Sequence, residues 1–490
     1  MSASILSDLR KALPEHDVPA VQECATTLLE ALPRPDELGQ NTVMVAYGGG
    51  KDSSYALAFV RAVHLAVAER HGTTFKLRVA TMRHGGMPYQ VMLNIDRCYR
   101  ALGLYDDPDV ELLLIEGGQV RPFDRDRSMP HRLIDFNRID MLMSGHRTYG
   151  DGRATFCNAC NLNVADSFGV AAGHGGGVDL IITGDSPQEQ RDYALWIRQL
   201  ARSAGLKPAE GRKGFQGTLE TLNSLAKAYF QEIHGLDNPE RIAARGVASN
   251  ISTALQFYSI YDYTSYASGA HWSLLTDFLG FVFDEIAFNF TESDCVNPAL
   301  MAHLRGLRTE RVYKRSYGEG IGQYVDFGIE LMRRKHFPEH LVEEMERRYA
   351  TEAGVESMRE QATRYGEDAF GLDTTQLVCM VYSPFAGRAA NLHEFLVQEY
   401  PELLEAEDRI REVLAGATDR ALAARLERIS GLSLTDLQAL HDGALWSAAT
   451  DMSGLPGVLP QVMITDPNQK RISAKRNPAG DEVPDRVSGR

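Results

Sequence analysis

The feature that most constrains this 490-residue chain is a short segment, residues 48–54, in which three glycines precede Lys-Asp-Ser-Ser. An apolar run over residues 42–47 precedes the segment, and a run with helical character over residues 54–70 follows it. A glycine-rich turn between a buried strand and a helix start suits phosphate binding, because unobstructed backbone N–H groups and the helix dipole both attract an anion. The order of these three elements predicts a phosphate-binding loop; the alternative is a glycine turn that only connects a strand to a helix.

The loop is not a Walker A motif, because Asp52 follows Lys51 where kinases and GTPases have serine or threonine. It resembles instead the pyrophosphate loop (PP-loop) of the ATP pyrophosphatases, Ser-Gly-Gly-X-Asp-Ser, and differs where Gly48 replaces the usual serine. The resemblance implies ATP cleavage between the α and β phosphates. The ATP-binding residues that it implies in this loop are Gly48, Gly49, Gly50, Ser53 and Ser54.

The same resemblance assigns catalytic roles to the two charged residues of the loop. Lys51 would neutralise charge on the leaving pyrophosphate, and Asp52 would hold a Mg²⁺ ion that bridges the phosphates. The alternative for Lys51 is a solvated loop lysine.

Strand and helix patterns alternate after residue 40 in the order typical of a parallel α/β sheet. Predicted strands cover residues 42–47, 75–81, 110–115 and 179–183, and predicted helices cover residues 54–70, 89–102 and 161–172. This order predicts a doubly wound parallel sheet with ligands at the carboxyl ends of its strands. Residues 116–156 are too long for a simple connection, so we expect a substrate-covering loop or short helices there.

Two further loops are expected to meet the glycine loop at the carboxyl edge of this sheet. Met82 and His84 follow the second predicted strand, and Gly184 and Asp185 follow the fourth. His84 sits where the PP-loop family contacts adenine. These four residues are therefore further candidates for nucleotide binding.

Beyond about residue 215 the strand signals fade, which predicts a large and mostly helical C-terminal region. We divide the chain into a helical lead-in, an ATP-binding PP-loop domain, a helical substrate region, a C-terminal helical region and a polar tail predicted to be disordered: residues 1–40, 41–215, 216–350, 351–464 and 465–490.

Cys157 and Cys160 form a Cys-X-X-Cys pair that is expected to lead into a helix. Two sulfurs at this spacing can share one metal ion or form one disulfide, and a helix start lowers the pKa of a thiol. The pair resembles one in tRNA thiolation enzymes of the same superfamily, which lies before the helix and strand that end in a Gly-His or Gly-Asp turn. Those enzymes add a third, distant cysteine and hold an iron–sulfur cluster; here Cys295 is the best candidate for it.

The cysteine resemblance implies that the substrate oxygen is adenylated and then replaced by sulfur from a cysteine desulfurase. A structural Zn²⁺ site and unliganded thiols are the alternatives for the pair. A looser resemblance, over residues 184–189, 314–320 and 333–335, is to the N-acetyl sugar amidotransferases, which use ammonia from a glutaminase partner. A nucleotide-binding sensor without turnover is the alternative from another functional class.

The net charge and the hydropathy of the chain indicate which partners and which location to expect. The net charge is −15, from 51 basic and 66 acidic residues, which favours a small-molecule substrate over tRNA. No apolar stretch approaches the ~20 residues that cross a bilayer, and the N-terminus lacks a signal-peptide core. We expect a cytoplasmic enzyme without membrane contacts that forms a homo-oligomer.

Overall fold

The computed structural model describes residues 2–206, 214–235, 238–251, 255–264, 271–291, 293–446, 457–466, 471–476 and 482–488. It confirms the predicted α/β class and the large helical C-terminal region. Six strands form one sheet in the order β4-β3-β2-β1-β5-β6. The strands are β1 Thr42–Ala46, β2 Lys76–Met82, β3 Val110–Glu116, β4 Gln119–Pro122, β5 Leu180–Ile182 and β6 Gln256–Phe257.

The sheet is parallel except for β4, which pairs antiparallel with β3. The chain runs outward from β1 through β2 to β3 and then returns to the other side of β1 to form β5 and β6. The order of strands therefore reverses at β1, and crevices at such reversal points are where parallel α/β sheets bind ligands. The four predicted strands correspond to β1, β2, β3 and β5.

Two strands of this sheet were not predicted from the sequence. β4 forms a hairpin with β3 across Gly117 and Gly118, both of which have positive φ angles of 53° and 75°. A Gly-Gly pair is a recognised hairpin signal, so β4 was detectable. β6 has two residues, which is too short for any alternation to show.

The helices surround the sheet and fill most of the second half of the chain. Their bounds are α1 Ser2–Ala12, α2 Asp17–Ala31, α3 Lys51–His71, α4 Tyr89–Ala101, α5 His131–Arg147, α6 Gly152–Gly173, α7 Pro187–Ser203, α8 Gly214–His234, α9 Pro239–Ala243, α10 Asn297–Arg311, α11 Tyr317–Arg334, α12 Glu339–Tyr349, α13 Glu352–Phe370, α14 Thr374–Tyr382, α15 Ala386–Ala389, α16 Leu392–Glu399, α17 Glu407–Leu414, α18 Arg420–Ser430, α19 Leu434–Asp442 and α20 Val458–Thr465. Part of the predicted substrate-covering segment is thus β4 and the 17-residue helix α5. Within the described ranges, no helix combines the length and apolarity needed to cross a membrane.

Alternate residues of β1 face two different cores. Val43 and Val45 pack with α1 to α4 on one face of the sheet. Met44 points to the other face and belongs to a larger core that reaches Leu440 of α19. Buried residues from both predicted C-terminal regions, 216–350 and 351–464, lie in this larger core, so these helices pack together with the sheet.

The polar tail differs from the predicted disorder. Its described residues include two antiparallel strands, β7 Arg471–Arg476 and β8 Glu482–Ser488, in which Ile472 pairs with Val487. Val487 is buried in the larger core. Backbone hydrogen bonds can pair two strands whose side chains are mostly polar. The tail has no long apolar run, so its composition gave no strand signal.

Helix α4 confines the glycine loop, and alanine variants of two glycines test this packing. Gly49 has φ +77°, and an added Cβ would lie 2.7 Å from side-chain carbons of Val91 and Ile95. Gly72, the C-cap of α3, has a similar φ of +70° with nothing within 4 Å of an added Cβ. Both alanine variants should lose about 1–2 kcal/mol from the left-handed backbone. Gly49→Ala should lose about 1–3 kcal/mol more from overpacking, as measured by urea unfolding.

Equal losses of unfolding free energy in Gly49→Ala and Gly72→Ala would show that α4 does not confine the loop.

Candidate functional site

The glycine loop joins β1 directly to the first turn of α3. The helix begins at Lys51, with Gly50 as its N-cap, and not at residue 54 as the sequence pattern predicted. Lys51, Asp52 and Ser53 therefore lie in the first helical turn, where backbone N–H groups have no partner within the helix. The loop consequently presents the positive end of a 21-residue helix to the carboxyl edge of the sheet.

A cavity of about 400 Å³ lies at this edge; we call it the loop cavity. It is where the three predicted loops meet, and its lining includes most of the predicted nucleotide-binding residues. Those that line it are Gly48, Gly50, Lys51, Asp52, Ser53, Met82, His84, Gly184 and Asp185. The structure thus brings together residues that are up to 137 positions apart in the sequence.

Gly49 and Ser54 contribute to the packing of the loop, and neither residue lines the loop cavity. Gly49 lies against α4, as described above. The Ser54 hydroxyl donates to the carbonyl of Gly50 over 2.8 Å and lies 3.1 Å from the Tyr47 hydroxyl, and its residue is 1% exposed. Its hydrogen bond closes the first turn of α3.

Gly184 lets the end of β5 approach the first turn of α3. An added Cβ at this position would lie 3.0 Å from the backbone nitrogen and Cα of Ser53. The Tyr261 hydroxyl donates to the Gly184 carbonyl over 3.1 Å, which fixes the turn from the opposite side. The glycine of the predicted Gly-Asp turn is therefore required by close backbone contact.

Asp185 lies next to this turn at the open edge of the loop cavity. Desolvation by the surrounding protein raises the pKa of its carboxyl, a hydrogen bond with Thr183 lowers it, and the charges of Glu189 and Asp52 raise it further. A carboxyl whose pKa is raised accepts a proton more readily, which is useful where a substrate group must be deprotonated.

Lys51 and Asp52, which both line the loop cavity, form an ion pair with each other. The Lys51 ammonium lies 2.5 Å from a carboxylate oxygen of Asp52 and 5.8 Å from the centre of the Phe337 ring. The Lys51 side chain is 4% exposed and that of Asp52 is 31% exposed. Lys51 is therefore a buried, paired cation, and the alternative of a solvated loop lysine is excluded.

The lining of the loop cavity is completed by Thr291, Ser293, Asp294 and Lys335, although the sequence gave them no role in nucleotide binding. The backbone N–H of Lys51 donates to the Ser293 hydroxyl over 3.0 Å. The Asp294 carboxylate lies so close to the loop that a Cβ added at Gly50 would be 3.1 Å from its oxygen. Ser293 and Asp294 are far from the glycine loop in the sequence, so only the fold reveals that they lie beside it.

The loop cavity combines cationic and anionic groups. Lys51 and Lys335 supply positive charge, and Asp52, Asp185 and Asp294 supply carboxylates. Magnesium in nucleotide sites is commonly held by one or two carboxylates together with phosphate oxygens and water. Asp52 and Asp294, which both border the glycine loop, fit that requirement.

His84 contributes a half-buried imidazole to the same cavity. Its Nδ1 accepts a hydrogen bond from the Gly86 backbone N–H over 3.1 Å. Desolvation lowers the pKa of His84, and the Asp294 carboxylate opposes that shift. The ring is thus a neutral group that a flat aromatic ligand can contact without a charge penalty.

The cysteine pair is placed differently from the prediction. Helix α6 begins at Gly152, where the Asp151 side chain caps the N–H of Ala154, so Cys157 and Cys160 lie within the helix and not before it. Desolvation and the Asp294 charge raise the pKa of Cys160 to about 12, whereas Arg153 lowers it. The expected lowering of this thiol pKa by a helix start is therefore wrong.

Cys295 is brought toward the pair by the fold. Its pKa is raised well above the ordinary value by desolvation, by Cys160 and Asp294, and by Cys157, so the three thiols are close enough for their charges to interact. The Asn297 backbone N–H donates to the Cys295 sulfur over 3.4 Å. Among the described residues, however, no three His, Cys, Asp or Glu side chains are arranged to hold a metal ion.

Comparison with known protein families finds no family whose pattern matches this chain, and a search of curated proteins finds no relative. Function is therefore inferred from the loop cavity, the residues that line it and the motif resemblance of the glycine loop.

The Asp294 carboxylate offers a test of this geometry. Asp294→Asn should lower the pKa of Cys160 and Cys295, because a nearby negative charge disfavours both thiolates. Alkylation of Cys160 by iodoacetamide, followed at pH 8 by peptide mass spectrometry, should accelerate by up to about tenfold, the change in thiolate fraction for one pKa unit. The exposed Asp277→Asn serves as the matched control.

An unchanged alkylation rate in Asp294→Asn would show that the segment carrying Asp294 does not lie beside the thiols.

Proposed function

We propose that this chain is an ATP pyrophosphatase-type enzyme that adenylates an oxygen atom of its substrate and replaces that oxygen with sulfur. The observation that carries the proposal is the loop cavity, in which Lys51, Asp52, His84 and Asp185 meet at the N-terminus of α3. A helix N-terminus with a lysine and carboxylates suits a Mg²⁺-bound triphosphate better than it suits a neutral ligand. The order of the strands around β1 supports a PP-loop type of sheet.

In the proposed reaction the substrate oxygen attacks the α-phosphorus of ATP, and the bond to the β-phosphate oxygen breaks. Pyrophosphate leaves on the glycine loop, where the Lys51 ammonium and the N–H groups of the first helical turn stabilise its charge. Mg²⁺, held by Asp52 and Asp294, would neutralise further phosphate charge when bound. A nucleophile then displaces AMP from the adenylated substrate.

Sulfur as that nucleophile is supported by the approach of Cys295 to Cys157 and Cys160. A thiol with a raised pKa is a poor nucleophile by itself, but a metal ion deprotonates the thiols it binds. Three thiolates would suit a zinc ion or an iron–sulfur cluster in ligand type, with a cysteine desulfurase as the sulfur source. Among the described residues, the thiols are not arranged as a metal site.

Ammonia is the second candidate nucleophile, and Lys335 favours it. This residue lies in segment 333–335, which resembles the sugar amidotransferases, and it lines the loop cavity. Such an enzyme would receive ammonia from a glutaminase partner and would not need its cysteines. A small-molecule substrate is favoured over tRNA by the net charge of −15.

The products of ATP turnover test the adenylation step. With [α-³²P]ATP, Mg²⁺ and a low-molecular-weight cell extract as substrate source, we expect labelled AMP on thin-layer chromatography. Asp52→Asn should reduce AMP release by about 10²–10³-fold, the usual loss when one group that stabilises transition-state charge is removed. The exposed Asp106→Asn should retain full activity, and circular dichroism should show both variants folded.

Labelled ADP as the main product would exclude the proposed chemistry, and ATP binding without any product would favour the sensor alternative.

Metal analysis of anaerobically purified protein separates sulfur from nitrogen chemistry. If the three cysteines hold a cluster, the protein should be brown and contain about four iron atoms per chain. Cys295→Ala should then bleach the colour, whereas Cys379→Ala, which changes a buried cysteine in the larger core, should not. Colourless protein without iron or zinc, and activity that survives Cys295→Ala, would instead favour ammonia.

A further inference from the structure

A second and larger cavity, of about 800 Å³, opens beside the loop cavity; we call it the apolar groove. Its walls come mainly from α6, α7, α8 and α20, together with β6. The side chains that line it are predominantly hydrocarbon, and they include Leu162, Phe168, Trp196, Phe215, Leu222 and Phe257. The volume lies within the range of about 300–1,000 Å³ that is usual for small-molecule sites.

The apolar groove and the loop cavity share part of their lining. Val164, Phe168, Thr183 and Asp185 border both spaces. A ligand in the groove can therefore contact residues that also line the loop cavity. The ionisable groups that line the groove include Asp185, Arg191 and Arg198, and of these three Asp185 also lines the loop cavity.

Aromatic contacts organise the groove wall. The rings of Phe215 and Phe257 meet edge to face with centroids 4.7 Å apart, and Phe168 meets Phe215 edge to face at 6.2 Å. Near the junction, the Gln190 side-chain amide donates to the Thr183 hydroxyl over 3.2 Å. The Gln190 amide thus has a hydrogen-bond partner within the protein, which lowers the cost of covering it with hydrocarbon.

We propose that the apolar groove binds the hydrocarbon body of the substrate, an amphipathic small molecule whose carboxyl or amide oxygen reaches the junction at Asp185. The identity of the reacting oxygen rests on the proposed adenylation, whereas hydrocarbon binding in the groove does not. A sugar or a tRNA nucleotide would leave its hydroxyl groups without partners against this lining, at a substantial desolvation penalty. The groove thus selects against both polar substrate classes.

Fluorescence titration with 11-(dansylamino)undecanoic acid, in the absence of ATP, tests the groove directly. Leu195 lines the groove and is 52% exposed, so Leu195→Asp places a carboxylate there with little risk to folding. We expect Leu195→Asp, and Ala194→Trp, which fills the space, to bind the probe at least about tenfold more weakly, as a 1.4 kcal/mol loss produces. Val397→Asp on α16, at a residue 42% exposed and outside the groove, is the matched control and should bind normally.

The proposal is overturned if the wild-type protein does not bind the probe, or if Leu195→Asp and Ala194→Trp bind it as tightly as Val397→Asp does. Circular dichroism establishes that each variant is folded. The two hypotheses fail separately: release of ADP from ATP would exclude adenylation and leave the groove intact, whereas unchanged probe binding in the variants would exclude the groove and leave adenylation intact.

Discussion

The site depends on backbone approaches that only glycine permits. Gly184 at the end of β5 lies against the first turn of α3, where a Cβ would be 3.0 Å from the backbone of Ser53. Gly49 holds the loop against α4 in a left-handed conformation. Together these contacts place three strand ends around one helix N-terminus, and the charged groups of the loop cavity take their positions from that arrangement.

Ligand binding at the loop has to replace contacts that the protein already makes. The Lys51 N–H is bonded to the Ser293 hydroxyl, and the Lys51 ammonium is paired with Asp52. An incoming phosphate would therefore exchange one set of hydrogen bonds for another, and the gain is the difference between them. Asp294 adds negative charge beside the loop, and in the proposed reaction a divalent cation would offset that charge against the triphosphate.

Local sequence patterns predicted the elements around the loop well, because each is a short apolar or helical run with its own turn signal. The strands β1, β2, β3 and β5 and the positions of Lys51, Asp52, His84 and Asp185 follow from such patterns. The start of α6 did not, because Asp151 caps that helix before the apolar periodicity begins. This error moved the cysteine pair to a helix start and led to the wrong direction for the pKa of Cys160.

Long-range packing could not be predicted in the same way. Ser293 and Asp294 lie just before α10, and Lys335 follows the end of α11. Both helices share the larger core with Met44, and no local pattern marks which of many polar residues a core will bring to a site. The approach of Cys295 to Cys160 was expected from a motif resemblance and is consistent with the structure. Its arrangement as a metal ligand, however, depends on distances that a sequence does not encode.

The apolar groove limits which substrates would suit the proposed reaction. In the proposed reaction, Lys51 and the N-terminus of α3 would act on phosphate and would carry no information about the group to be activated. In this proposal the substrate is selected by the apolar groove beyond Asp185, whose lining is predominantly hydrocarbon and includes Leu162 and Phe257. A net charge of −15 disfavours nucleic acid, and a predominantly apolar groove disfavours sugars, so charge and lining independently support the proposed class of small amphipathic substrate.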